Sequence, residues 1–262
     1  MTTTTDQQSQ HHPSHFQHLP QPICRWTFQE EAGEARHSTG RYAYTLYEQA
    51  GPVKRVEDGV AGCGPYSAEI VEGQWFKVAR GDCPELNLHG PQARVSVVAW
   101  VKRAQKSYGE CEAVAGMWNE SDKSRQYCLF LNLGIWQSRQ QVCGHLSSTG
   151  APSPGYKYCM EATIGATRVE LGEWHQVAFT FDGVWARAYL DGVCDERPGL
   201  NPYFWPCAIN NGGPGGSDFT VGAVDRSGVL GNWYVGRLGG LAVYDSALTA
   251  DVVASLYNKR TV

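Results

Sequence analysis

The sequence contains no unbroken apolar run of the roughly 18 residues that a membrane-spanning helix requires. No membrane span is expected. It also lacks any Lys/Arg block: 22 basic residues are scattered among 26 acidic ones, for a net charge of -4 at pH 7. A phosphate backbone is tracked by clustered cations, so no nucleic acid is expected as a partner. Nine cysteines are present, yet none forms a C-x2-C or C-x4-C pair, which disfavours a zinc knuckle or a thioredoxin-type motif. The start has neither the basic n-region nor the apolar h-region of a secretory signal. With an odd number of cysteines, that favours a cytoplasmic chain with free, buried thiols. The disulfide best placed by spacing is Cys194 with Cys207, which would close the loop carrying Pro202 to Pro206.

What is abundant points to β structure. The chain of 262 residues holds 30 glycines, nine tryptophans and only 18% charged residues. Ordinary domains carry about 7% Gly and about 25% charge, so this is a turn-rich composition. At about 150 residues per domain the length suggests nearly two units, but all-β sandwiches of 200 to 250 residues or so are commonly single. Residues 1–22 are almost devoid of aliphatics and read as a flexible tail rich in His, Gln and Thr. His11, His12, His15 and His18 within it are the kind of residues that take up soft metals nonspecifically. Residues 23–262 read as one domain.

Short runs of β-branched and aromatic residues separated by Gly, Pro, Asn and Asp predict strands at Cys24–Phe28, Tyr42–Tyr47, Trp75–Val78, Val95–Lys102, Ala113–Met117 and Gln126–Leu133. Further strands are predicted at Gln140–Leu146, Trp174–Phe181, Ala186–Leu190, Phe219–Val224 and Tyr234–Tyr244. This is the pattern of an all-β, two-sheet antiparallel sandwich. In Val95–Lys102 both faces carry apolar residues, so that strand is expected to be buried on both sides. Asp182-Gly183 and Asp191-Gly192 supply hairpin turns at the two ends of one strand, predicting a meander. A single helix is expected after Thr249 as N-cap, with Val252, Val253, Leu256 and Tyr257 on its apolar side, packed against an open end of the sandwich.

Val95–Lys102, Leu171–Gly183, Ala188–Gly192 and Gly236–Thr249, in that order, resemble the laminin G-like jelly-roll module of the concanavalin A-like lectin and glucanase superfamily. Trp26–Phe28 and Asp58–Gly62 are similar to its first strand and its first Asp-Gly turn. The resemblance implies two antiparallel sheets, one concave, with rim loops that in many relatives bind glycans or calcium. Where relatives commonly carry two consecutive carboxylates, this chain has Gly239 and Gly240. Calcium wants six or more oxygens, several from carboxylates, so calcium is doubtful as a cofactor here. Asp218 and Asp225 are possible substitute ligands, and solvated loop carboxylates are the alternative reading of both.

Several residues could carry chemistry. Glu110 and Glu112, on one strand, would face the same side about 7 Å apart. That is near the roughly 6.5–9.5 Å of inverting glycosidases, although a solvated strand start is the plainer reading. His145 could serve Cys143 or Cys159 as base, without a visible third residue to orient it. His175 alternates with Val177, Phe179 and Phe181 and reads as a satisfied core histidine. Asn119–Ser121 is a glycosylation sequon if the chain is secreted. Sugar rings stack their C–H faces on aromatic rings, while Arg, Asp and Asn take hydroxyls. Tyr203 and Trp205 lie between two prolines, Trp233 follows a Gly-rich turn, and Trp118, Arg125 and Trp136 border a long hairpin loop. These six form the expected platform, with Trp205→Ala expected to weaken binding. The reading is carbohydrate recognition without catalysis. The alternatives are a glycan-active enzyme, either a hydrolase or a lyase, and a protein-interaction module.

Overall fold

The computed structural model describes residues 19–107, 109–121, 123–226 and 229–262. The nine-stranded sheet runs Val193–Cys194, Trp185–Leu190, Trp174–Phe181, Val95–Arg103, Gly236–Tyr244, Ser67–Ile70, Lys54–Val56. Cys24–Trp26 also pairs with Gly236–Tyr244, and Tyr203–Phe204 with Trp185–Leu190. The ten-stranded sheet runs Ala162–Arg168, Gln141–Leu146, Ser124–Leu131, Glu112–Asn119, Phe219–Val221, Trp75–Val78, Thr45–Gln49, Arg36–His37. Val224–Arg226 joins its Glu112–Asn119 strand and pairs with Val229–Gly231. Among the described residues pairing is antiparallel, apart from single parallel bridges at Asn119–Asp225 and Arg103–Leu171.

The predicted long strands are all present, because each buries a face against a neighbour. Alternation divides the apolar residues into three layers. Val95, Val97, Ala99 and Val101 meet Leu129, Leu131 and Phe179 between the sheets. On the outer side of the nine-stranded sheet, Val98 and Trp100 are covered by the helix Ala250–Asn258. Trp100 stacks on Tyr257 at 5.7 Å and its indole N–H donates to Thr261 O at 2.9 Å. The helix therefore lies on this sheet face and not across an open end, since a strand apolar on both sides needs a second cover. Thr249 caps it as expected, accepting from Val252 N. The third layer, on the outer face of the ten-stranded sheet, contains Trp118, Cys128, Phe130, Cys143 and Ile164.

Both Asp-Gly turns form. Asp182 Oδ1 accepts from Val184 N and Trp185 N, and Asp191 and Gly192 both adopt positive φ, as a tight hairpin requires. The strands not anticipated, such as Ser67–Ile70, Ala162–Arg168 and Tyr203–Phe204, are short or contain glycine. Their pairing comes from distant partners, not from their own pattern. Residues 1–18, with the four tail histidines, lie outside the described residues. Leu19 packs beneath the helix layer, and Pro22 O accepts from Arg41 N at 3.0 Å, so packing starts ahead of the Ile23 boundary.

All nine cysteines are free thiols, including Cys194 and Cys207, whose proposed pairing is not made. Cys194 is tied into the layer beneath the helix while Cys207 is exposed. A thiol titration of the denatured, unreduced protein is expected to find nine thiols. Seven would place the Cys194–Cys207 bridge back in the chain.

Candidate functional site

The ten-stranded sheet carries a cleft on its outer face, of about 290 Å³, walled by Phe130, Leu133 and Ile135 and furnished with Glu110, Glu120, Arg125, His145, Tyr158, Arg226 and Asn232. Two local features of the backbone aim its floor. Strand Gln141–Leu146 pairs His145 opposite Cys128, whose side chain faces outward, so His145 faces outward as well. Strand Ser124–Leu131 has an irregular register: Tyr127 faces Met117, but the next pair is Arg125 with Trp118. Gln126 is the extra residue of a β-bulge, which turns Arg125 to the same side as Trp118. Without it, strict alternation would send Arg125 between the sheets with Tyr127.

His145 lies flat on Trp118, ring centroids 4.3 Å apart, with its edge to Phe130. Its Nε2 donates to Cys159 O at 3.0 Å. A carbonyl can only accept, so the proton sits on Nε2 and Nδ1 is an acceptor. That Nδ1 is buried without a partner. Burial pushes the imidazole down to about 3, which keeps it neutral at physiological pH. Beside it, Arg125 is only 4% exposed and donates from Nη1 to Gly150 O at 2.9 Å. Glu120 accepts from the Trp118 indole at 3.3 Å. Glu110 and Arg226 form an ion pair of 2.7 Å that also borders a neighbouring cavity of about 360 Å³, lined by Glu72 and Trp233. On the other side, Tyr158 is exposed, and next to Ile135 the exposed Trp136 meets Tyr156 edge-on at 6.2 Å.

Several expected site residues are placed elsewhere. Glu110 and Glu112 do not share a strand face, because the strand begins at Glu112. Glu112 is buried, and both its oxygens are taken at 2.8 Å by Arg103. His145 meets Cys159 through the backbone and not the thiol. The Cys159 thiol donates to Glu161 and is pushed up to about 12 chiefly by burial, so no nucleophile pair is assembled there. Burial likewise pushes the Cys143 thiol up. Trp118 is fully buried beneath His145, with no face open to a ligand. Trp205 is buried between the sheets, edge-on to Phe181 at 5.2 Å, and Tyr203 packs beside that core in its two-residue strand. A buried ring cannot stack on a sugar. His175 is held by Asp191 at 2.8 Å, and the hydrogen bond to that carboxylate raises its pKa.

Asp218 accepts from Arg80 N at 2.9 Å and faces Lys77, while Asp225 accepts from the Ser121 hydroxyl at 2.8 Å. Among the described residues no three His, Cys, Asp or Glu side chains are gathered to hold a metal. Asn119 is buried and its side chain accepts from Ser121 N, so the sequon is not displayed. The residues that sequence reasoning missed are Glu120, Tyr158 and Arg226. They come from separate segments, two loops and the end of strand Val224–Arg226, and nothing local distinguishes them from solvated side chains.

A family model described as the concanavalin A-like lectin/glucanases superfamily matches residues 81–254. The chain belongs to that superfamily. Comparison by sequence with curated proteins gives no match. Among solved structures, the superfamily fold is shared with domain 4 of AbnA, a GH43 extracellular arabinanase from Geobacillus stearothermophilus, in complex with arabinotriose. That likeness has a TM-score of 0.53 at 17% identity and covers 87% of this chain and 100% of that one. The Ruminococcus gnavus IT-sialidase CBM40 bound to α2,3-sialyllactose aligns with a TM-score of 0.54 at 13% identity, over 73% of this chain and 96% of its own. The binding domain of botulinum neurotoxin serotype G aligns with a TM-score of 0.59 at 12% identity, over 90% of this chain. The present chain spans half of that neurotoxin chain. At these identities the likeness is one of fold, and the fold is that of known carbohydrate-binding modules.

Proposed function

We propose that this protein is a carbohydrate-binding domain that takes one sugar unit into the cleft above His145 and lays the adjoining units along Tyr158 and Trp136. The observation that carries the reading is a cleft that sets the apolar walls Phe130, Leu133 and Ile135 against the polar side chains of Glu120 and Asn232. A sugar offers what such a site asks for: hydroxyl donors for Glu120, and C–H faces for Phe130, Ile135 and the rim aromatics. The size agrees, since about 290 Å³ lies at the small end of ligand pockets and suits a single ring. A hydrolase is disfavoured by the fate of the carboxylates. Glu112 is locked by Arg103 and Glu110 by Arg226, which leaves neither free to serve as the proton donor of a catalytic pair.

A glycan array read together with a reducing-end assay tests this. Binding without release of reducing ends is the expected outcome. Trp136→Ala and Tyr158→Ala should each weaken binding by about tenfold, the loss of one modest stacking contact, with little change in melting temperature. Trp185→Ala, on the other sheet, should leave binding as it was. Turnover would establish the enzyme reading, and an array silent at every position would sink the carbohydrate reading in favour of a protein partner.

A further inference from the structure

Arg125 is the unexplained residue of the cleft. It is nine-tenths buried, yet no carboxylate lies within ion-pair distance of it among the described residues. Its one hydrogen bond there runs from Nη1 to Gly150 O, which pins the guanidinium in place. The Nε–Nη2 edge donates to no described residue, and neither atom is among the fully sealed polar atoms. That edge is therefore a fixed two-donor fork lining the cleft. Burying a guanidinium without a counterion is costly, and proteins tolerate it where a ligand anion completes the pair. The other cation, Arg226, is already neutralised by Glu110 at 2.7 Å.

We infer that the sugar unit bound in this cleft carries a carboxylate, which docks on the Nε–Nη2 edge of Arg125 while a ring hydroxyl of the same unit donates to Glu120. This rests on the cleft being a saccharide site. The two parallel donors of the fork match the two oxygens of a planar carboxylate, the geometry in which arginine outperforms a point charge. His145 next to it cannot supply a second positive charge, because its buried ring stays neutral, so recognition needs one anion and not two. Glu120 remains an anion whose charge acts on Arg226, and its carboxylate, which accepts from the Trp118 indole, offers the ligand a hydroxyl acceptor. The unit selected is thus a sugar acid with free hydroxyls and one carboxylate, not a neutral hexose and not a multiply charged group.

The test compares sugars that differ only in charge. Oligogalacturonides of one length are titrated as the free acid and as the methyl ester, alongside lactose, sialyllactose and sulfated lactose. At least one free acid is expected to bind about 30-fold more tightly than its ester or neutral parent, the discrimination that a charge-assisted bond to a buried arginine provides. Arg125→Gln should remove that preference, and Arg125→Lys should restore only part of it, because a point charge lacks the fork. Equal affinity for acid and neutral partners overturns the inference and leaves the carbohydrate reading standing. Preference for sulfate over carboxylate overturns the planar fork. Failure of every sugar to bind takes down the carbohydrate reading itself. Should Arg125→Gln not fold, the acid-against-ester comparison on the unmodified protein still decides.

Discussion

Glu112→Ala is expected to destabilise the protein by about 3–5 kcal/mol and to lower its melting temperature by on the order of 10 °C. The reason is where the ion pair sits. Arg103 ends a central strand of the nine-stranded sheet, Glu112 begins a strand of the ten-stranded sheet, and both side chains are 3% exposed. Their bidentate contact ties the sheets together at one end of the sandwich, and Arg103 also donates from Nη1 to Val169 O. Removing the carboxylate leaves a guanidinium charge in a dry place without its partner. Replacing both residues, as Arg103→Met with Glu112→Leu, should recover part of the loss, because the guanidinium leaves with its partner while Lys106, 3.9 Å from the same carboxylate, keeps its charge. Urea unfolding of the two variants measures the difference. A single substitution that costs less than about 1 kcal/mol would mean that water reaches the pair and that it contributes no more than a surface bridge.

Trp205→Ala is expected to cost about 3–5 kcal/mol of stability, the usual range for deleting a large aromatic from a core. Affinity for any sugar the cleft binds should be unchanged. Its ring fills the space beside Phe181 between the sheets, and its backbone N–H donates to Val184 O at 2.8 Å, closing the sheet edge where Tyr203–Phe204 pairs with Trp185 and Ala186. The neighbouring Phe204 points outward instead, tilted against Trp185 at 5.0 Å. Denaturant melts give the first quantity and a binding titration the second. A protein of full stability that has lost its ligand would return the site to this loop.

The two tryptophans misread from sequence share a cause. Trp118 and Trp205 lie near turn residues, and aromatics beside prolines or hairpin loops look like a displayed platform when only neighbours in the chain are considered. What buries them arrives from far away: His145, two strands over in the sheet, covers Trp118, and Phe181 receives Trp205. Trp136 is exposed as its loop position suggested, with only Tyr156 at its edge and its indole N–H donating to Met160 O at 3.0 Å among the described residues.

The sandwich, its central strands, the Asp-Gly hairpins and the capped terminal helix were legible in the chain alone, because each is written in a local code: alternation with a period of two, turn residues that accept positive φ, and an N-cap followed by apolar residues at helical spacing. The cleft was not. Arg125 reaches it only because one extra residue, Gln126, shifts the register against Glu112–Asn119, and a bulge is a property of two paired strands. Glu112 was withdrawn from it by Arg103, a residue on the other sheet. Glu120, Tyr158 and Arg226 meet there because two loops and a strand end come together at the same place. Local pattern determines which segments become strands and which faces are apolar, whereas the pairing of charges and the orphaning of polar atoms depend on long-range closure, and so the site was decided by the tertiary structure.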